Sequence, residues 1–337
     1  MLKLRCRMGR STTAAFLSAV LSMIGFISAL APLQARGENL TVSVTTSTYG
    51  HSPLFVAQTK GFYAQEGLEV SLPVLESGSR AMQALLGGSV QLAVTTPEDP
   101  IRAADAGTPT VMLAGTVNGL THSLMANSRF KRVGDLKGGK VAASTVSGTV
   151  TYALKLMLAK NNLHYPKDYL IIQIGGSGMR WAALKTGGID ATLIAEPLAL
   201  MAEEAGLSNL GYIGDYLPHM QGNVISAKSD WAKANRAVIV RFLKGLIRTF
   251  RWIYNNKEEA VEVTSAVVKV EKKFGARGYE IYTSRGVWPS DGSPTMEGIK
   301  VILDYMRDAK ILSSSQRPER YVDLSYLEQA KRELGIP

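Results

Sequence analysis

From residue 40 onward the chain repeats one unit: a short apolar or β-branched run, a loop rich in Gly, Ser and Thr, then an amphipathic helix. That order predicts open α/β sheets. In a first set, residues 40–45 run into Thr46-Ser47-Thr48-Tyr49-Gly50-His51, residues 69–75 into Glu76-Ser77-Gly78-Ser79, and residues 91–94 into Thr95-Thr96-Pro97. In a second set, residues 140–143 run into Ser144-Thr145-Val146-Ser147-Gly148-Thr149, residues 170–174 into Gly175-Gly176-Ser177-Gly178, and residues 191–195 into Glu196-Pro197. A shift of 99 positions lays Ala84-Leu85 on Ala183-Leu184, Gly88 on Gly187 and Val94 on Leu193. The chain is therefore read as α/β, with two lobes of related architecture and a cleft between them.

Beyond Asp230 the pattern changes to long helices, with apolar spacing through residues 238–253. Such a tail is expected to pack back on the first lobe, so that the chain crosses between lobes twice. The expected division is a first lobe at 36–124, a second at 125–224 and a mostly helical return at 225–337, with crossings near 122–127 and 222–228.

Residues 1–35 read as a cleaved export signal, because Lys3, Arg5, Arg7 and Arg10 precede an apolar run from 14 to 31 without an acidic residue. Cleavage is expected after Ala35, giving a soluble, periplasmic product, and a monomer is expected. The only cysteine, Cys6, lies in that segment, which removes disulfides, thiol catalysis and a lipid-bearing cysteine from consideration. Four of the positive charges in the formal net +10 lie there too, leaving +6 spread over helix faces, and no nucleic-acid partner is implied.

In open α/β sheets ligands bind beyond the carboxyl ends of strands, where helix N-termini offer free N–H groups to anionic oxygens. Each loop above occupies such a place. Ser47, Thr48, Ser77, Ser79, Thr95, Thr96, Thr149 and Ser177, together with Ser147, are candidate hydroxyl donors, and Gly78 and Gly148 bring backbone N–H groups close. Arg80 and Arg180 fall in the first turns of the two matching helices and could meet an anion with paired hydrogen bonds. Tyr49, His51 and Trp288 could supply flat faces to a ring or alkyl chain. Removing the hydroxyl of Thr149 or Ser79 is expected to weaken binding with little effect on melting.

Enzyme motifs fail in turn. The run 134–140 fits a phosphate loop until Val141, which stands where Ser or Thr is required, and it precedes a strand. Met179 breaks the nucleophile-elbow pattern of 175–179. His51, His122, His164 and His219 lack metal-site spacing, so no metal and no cofactor are expected.

The residues Ser52-Pro53-Leu54-Phe55-Val56-Ala57, Lys60-Gly61-Phe62-Tyr63, Glu66-Gly67-Leu68, Val133-Gly134-Asp135-Leu136-Lys137-Gly138 and Ile194-Ala195-Glu196-Pro197 carry a resemblance. The chain resembles periplasmic substrate-binding proteins of ABC transporters in the sulfonate, nitrate and thiamine-pyrimidine-precursor group. The resemblance implies a type II periplasmic binding fold that closes on a small-molecule ligand. It implies ligand contacts from the first-strand loop, from Glu76 to Arg80, from Thr95-Thr96, from Ser147 to Thr149 and from Glu196. It further implies delivery to a membrane permease with its ATPase; a pyrimidine-type enzyme and a binding module that reports to a sensor kinase stay open as alternatives. A small oxygenated organic anion, sulfonate or carboxylate, is the expected ligand, with a pyrimidine-type thiamine precursor as the alternative. The pyrimidine-synthesising enzymes of the superfamily rely on a cysteine-rich stretch that is missing after residue 35.

Overall fold

The computed structural model describes residues 37–75, 77–146, 148–313 and 316–337. The expected export signal, Glu76 and Ser147 lie outside the described residues. Strands β1 (Glu38–Val44), β2 (Leu68–Ser71), β3 (Leu92–Thr95) and β4 (Thr110–Asn118) alternate with helices. Strands β5 (His122–Ala126), β6 (Lys140–Ala143), β7 (Leu170–Gln173), β8 (Ala191–Ala195) and β9 (Ser208–Tyr212) follow, and β10 (Gln221–Lys228) closes the strand-bearing part.

Two five-stranded sheets result, in the orders β2-β1-β3-β10-β4 and β7-β6-β8-β5-β9. In each, four strands run in one direction and one, β10 or β5, runs against them between two of the four. Ile225 of β10 faces Val94 of β3 in the first sheet, and Leu124 of β5 faces Leu193 of β8 in the second. The internal likeness read in the sequence is structural: helices Gly78–Leu86 and Ser177–Lys185 are each nine residues long and start 99 positions apart, and each leads into a central strand, β3 or β8.

Both segments expected to carry crossings are strands. Residues 122–126 pair with β8 and β9, and 221–228 pair with β3 and β4. The chain passes between sheets at 119–121 and again at 213–220. These strands escaped the local pattern because each is antiparallel among parallel neighbours, a pairing fixed by distant sequence.

Helix Arg236–Asn255 buries Val238, Ile239, Phe242, Leu243, Leu246, Ile247, Phe250 and Ile253, a spacing of three and four that places one stripe in the core that also holds Val42, Val94 and Ile225 of the first sheet. Each such side chain contributes about 1.5–3 kcal/mol when fully buried. Helix Met296–Asp308 behaves differently. Its Ile299, Ile302, Leu303 and Met306 join a core that holds Met112 and Val224 of the first sheet with Leu124, Val141 and Leu193 of the second. The two sheets thus share apolar packing.

Candidate ligand site

The loops after β3 and β6 meet directly. Strand β3 ends at Thr95, and after Thr96-Pro97 the helix Glu98–Asp105 opens with two adjacent carboxylates, a placement its dipole favours. Glu98 is only 7% exposed. Its Oε1 accepts the backbone N–H of Thr149 at 3.0 Å, and its Oε2 accepts the Thr149 hydroxyl at 2.5 Å. Thr149 opens the helix Thr149–Ala159 that follows β6, so a carboxylate from one sheet's side fills the helix start of the other. Gly148 makes the approach possible: its φ of 153° suits glycine, and its N–H donates to the Tyr305 hydroxyl at 3.3 Å.

Asp99 lies against the other helix start. Its Oδ2 accepts from the Thr96 hydroxyl at 3.3 Å and lies so close to Gly78 that a Cβ there would be 2.0 Å away. Burial, reinforced by the charge of Glu98 beside it, raises the Asp99 carboxyl to about 7. Ser77 caps this helix through the N–H of Arg80 at 3.2 Å, whereas Ser79 and Arg80 are exposed.

A third carboxyl lies at the end of β8. Glu196 is buried, takes the Ser123 hydroxyl on Oε1 at 2.5 Å, and leaves Oε2 buried without a hydrogen-bond partner. Burial raises it to about 7. Its backbone carbonyl accepts from the Tyr282 hydroxyl at 3.4 Å, and Tyr282 in turn pairs with the Thr121 hydroxyl at 2.8 Å. In the first-strand loop, the Thr48 hydroxyl meets His51 Nδ1 at 3.0 Å, His51 Nε2 is buried without a partner, and Ser47 is exposed. Burial lowers His51 to about 4, so the ring is neutral near pH 7.

Three expectations need correction. Tyr49 and Trp288 offer no free face: Trp288 is 0% exposed, the two rings stack at 5.4 Å with Tyr282 against both, and the Tyr49 hydroxyl donates to the Gly275 carbonyl at 2.7 Å. Arg180 is not available to an anion, because its guanidinium donates to the carbonyls of Leu193 and Gly175 inside the second sheet's side. Ser177 supports this arrangement, its oxygen accepting from Ala195 N–H at 3.3 Å and from Arg180 at 3.2 Å, and those bonds take up acceptor positions and not its O–H. Thr95 is fully buried, and its hydroxyl donates to the Thr96 carbonyl at 3.2 Å.

The arrangement joins Gly78, Thr96, Gly148 and Thr149 through two residues the sequence reading passed over, Glu98 and Asp99. Their signal was present: adjacent acids directly after Pro97, in the first turn of a helix that leaves a central strand. Ser123 was missed because its strand was.

The sequence profile described as NMT1/THI5 like matches residues 48–260, more than half of the chain. The formylaminopyrimidine-binding protein of Halalkalibacterium halodurans is 24% identical over 224 residues, which cover 63% of this chain and 65% of that protein. Among solved structures, the periplasmic nitrate-binding protein NrtA of Synechocystis PCC 6803 superposes with a TM-score of 0.75 at 19% identity, over 89% of this chain and 90% of that one. The alkanesulfonate-binding protein SsuA of Xanthomonas axonopodis pv. citri, bound to MOPS, superposes with a TM-score of 0.70 at 17% identity, over 86% and 99%. These likenesses show the two-lobed periplasmic binding protein fold.

Proposed function

The chain belongs to the NMT1/THI5-like family, and on that premise we propose that it is a solute-binding protein that captures a small oxygenated anion, sulfonate or carboxylate, between its two sheets. The sheets are taken as the two lobes. The protein binds its ligand without transforming it and, in the periplasm after removal of residues 1–35, delivers it as a monomer to the permease and ATPase of an ABC importer.

One observation carries the ligand class. The N–H and hydroxyl of Thr149 already hold a carboxylate, that of Glu98, at a helix start. A sulfonate or carboxylate presents the same oxygens to the same donors, and exclusion of water on closure strengthens those bonds. The nitrate and alkanesulfonate proteins of like fold support the reading. An aminopyrimidine is the second reading, favoured by the carboxyls of Asp99 and Glu196, which could accept its N–H groups.

Titration calorimetry with short alkanesulfonates, short carboxylates, nitrate and an aminopyrimidine tests the proposal. Binding of an anion that weakens roughly tenfold or more in Thr149→Ala is expected. Binding of the aminopyrimidine alone, undiminished in Thr149→Ala, would replace the first reading by the second.

A further inference from the structure

Glu98 makes, from within the protein, the contact that the proposed ligand would make. It belongs to the helix after β3, in the first sheet's half, yet both of its carboxylate oxygens are spent on Thr149 in the second half. Both residues are buried, Thr149 at 1% exposure. The backbone N–H of Thr149 is a single donor, so it serves Glu98 or an incoming anion but not both. Two buried negative charges side by side would also repel strongly at short range.

We propose that Glu98 is an internal stand-in for the ligand's anionic end: it clasps the two halves in the free protein, and an anion binds by displacing it. The inference rests on the anion reading above. Asp99 limits where Glu98 can go. The helix start at Gly78 has the Asp99 carboxyl lying against it and Ser77 capping its Arg80 N–H, so a displaced Glu98 must turn toward water or meet a donor carried by the ligand. Glu98 thereby sets the affinity threshold and discriminates against weakly held anions, which cannot out-compete a tethered carboxylate whose effective concentration is high.

The test compares the parent with Glu98→Ala and Glu98→Gln, the second keeping the shape of the side chain in case the first folds poorly. Spin labels on cysteines placed at the exposed positions Glu69 and Lys167, one in each half, report the separation of the halves in full-length protein processed by its host. Calorimetry with methanesulfonate and acetate reports affinity. The expected result is a longer or broader distance distribution in both variants without any added anion, and probe affinity roughly tenfold or more above the parent in Glu98→Ala. An unchanged distance together with unchanged or weaker probe binding would overturn the stand-in. A lengthened distance with no probe bound by any variant would keep the clasp and overturn the anion reading instead, so the two failures are told apart.

Discussion

The carboxylate of Glu98 accepts two hydrogen bonds from Thr149, at 3.0 Å from its N–H and at 2.5 Å from its hydroxyl, and so ties the helix after β3 to the helix after β6. This pair alters what a substitution at Thr149 does to the free protein. The sequence alone suggests that Thr149→Ala leaves melting nearly unchanged. With the hydroxyl gone, however, a buried carboxylate oxygen loses its donor, and the loss costs about 1–3 kcal/mol. Urea unfolding of ligand-free protein should show that decrease for Thr149→Ala and almost none for Ser79→Ala, whose side chain is exposed. Equal stability of the two variants would contradict the pair's contribution.

Glu196 makes stability depend on pH in a defined window. Burial raises its carboxyl from about 4.5 to about 7, so the folded state binds the proton more tightly than the unfolded chain. The resulting stabilisation is complete below the unfolded value and is lost as pH rises through 7. Glu196→Gln removes that dependence while leaving an amide oxygen for the Ser123 hydroxyl. Relative to the parent, the variant should gain about 2–3 kcal/mol between pH 5 and pH 8. His51 and His122, held by burial at about 4 and about 3, act in the opposite sense but are common to both proteins and drop out of the difference. A difference that stays flat over this range would refute the assignment.

Tyr49 and Trp288 should behave as core residues. Trp288→Ala removes the largest of the fully buried side chains and should cost about 3–5 kcal/mol. Tyr49→Phe, which loses the bonds to Gly275 and Thr264, should cost about 1–2 kcal/mol. Chemical denaturation measures both. Full stability of Trp288→Ala combined with lost binding would restore these rings to the site.

Arg180 is pushed down to about 10 by burial and remains charged near neutral pH, where it holds backbone carbonyls of the second half. Arg180→Met should destabilise by roughly 1–3 kcal/mol for each carbonyl left without a donor. An arginine that served the ligand would show the reverse pattern, weaker probe binding at unchanged midpoint of unfolding.

The parallel strands and their following helices were legible in the sequence because each unit is local: the apolar run of β3, the serine-led start of Gly78–Leu86 and the 99-residue likeness to Ser177–Lys185 all lie within short windows. Strands β5 and β10 were not, since His122–Ala126 and Gln221–Lys228 gain their partners from pairing across long separations. The same holds for the site. Thr96 and Thr149 could be named from their places after strands. That Arg180 faces inward to carbonyls, that Trp288 is covered by Tyr49, and that Glu98 spans the halves are facts of packing, which no local pattern carries.

Native mass spectrometry of the protein purified under mild conditions from cells that supply its natural solutes tests the central claim most directly. The account predicts one small acidic molecule per chain, released on unfolding with its mass unchanged after prolonged incubation. A bound molecule converted to a new mass during incubation, or a chain that carries no small acidic molecule under any growth condition, would contradict it.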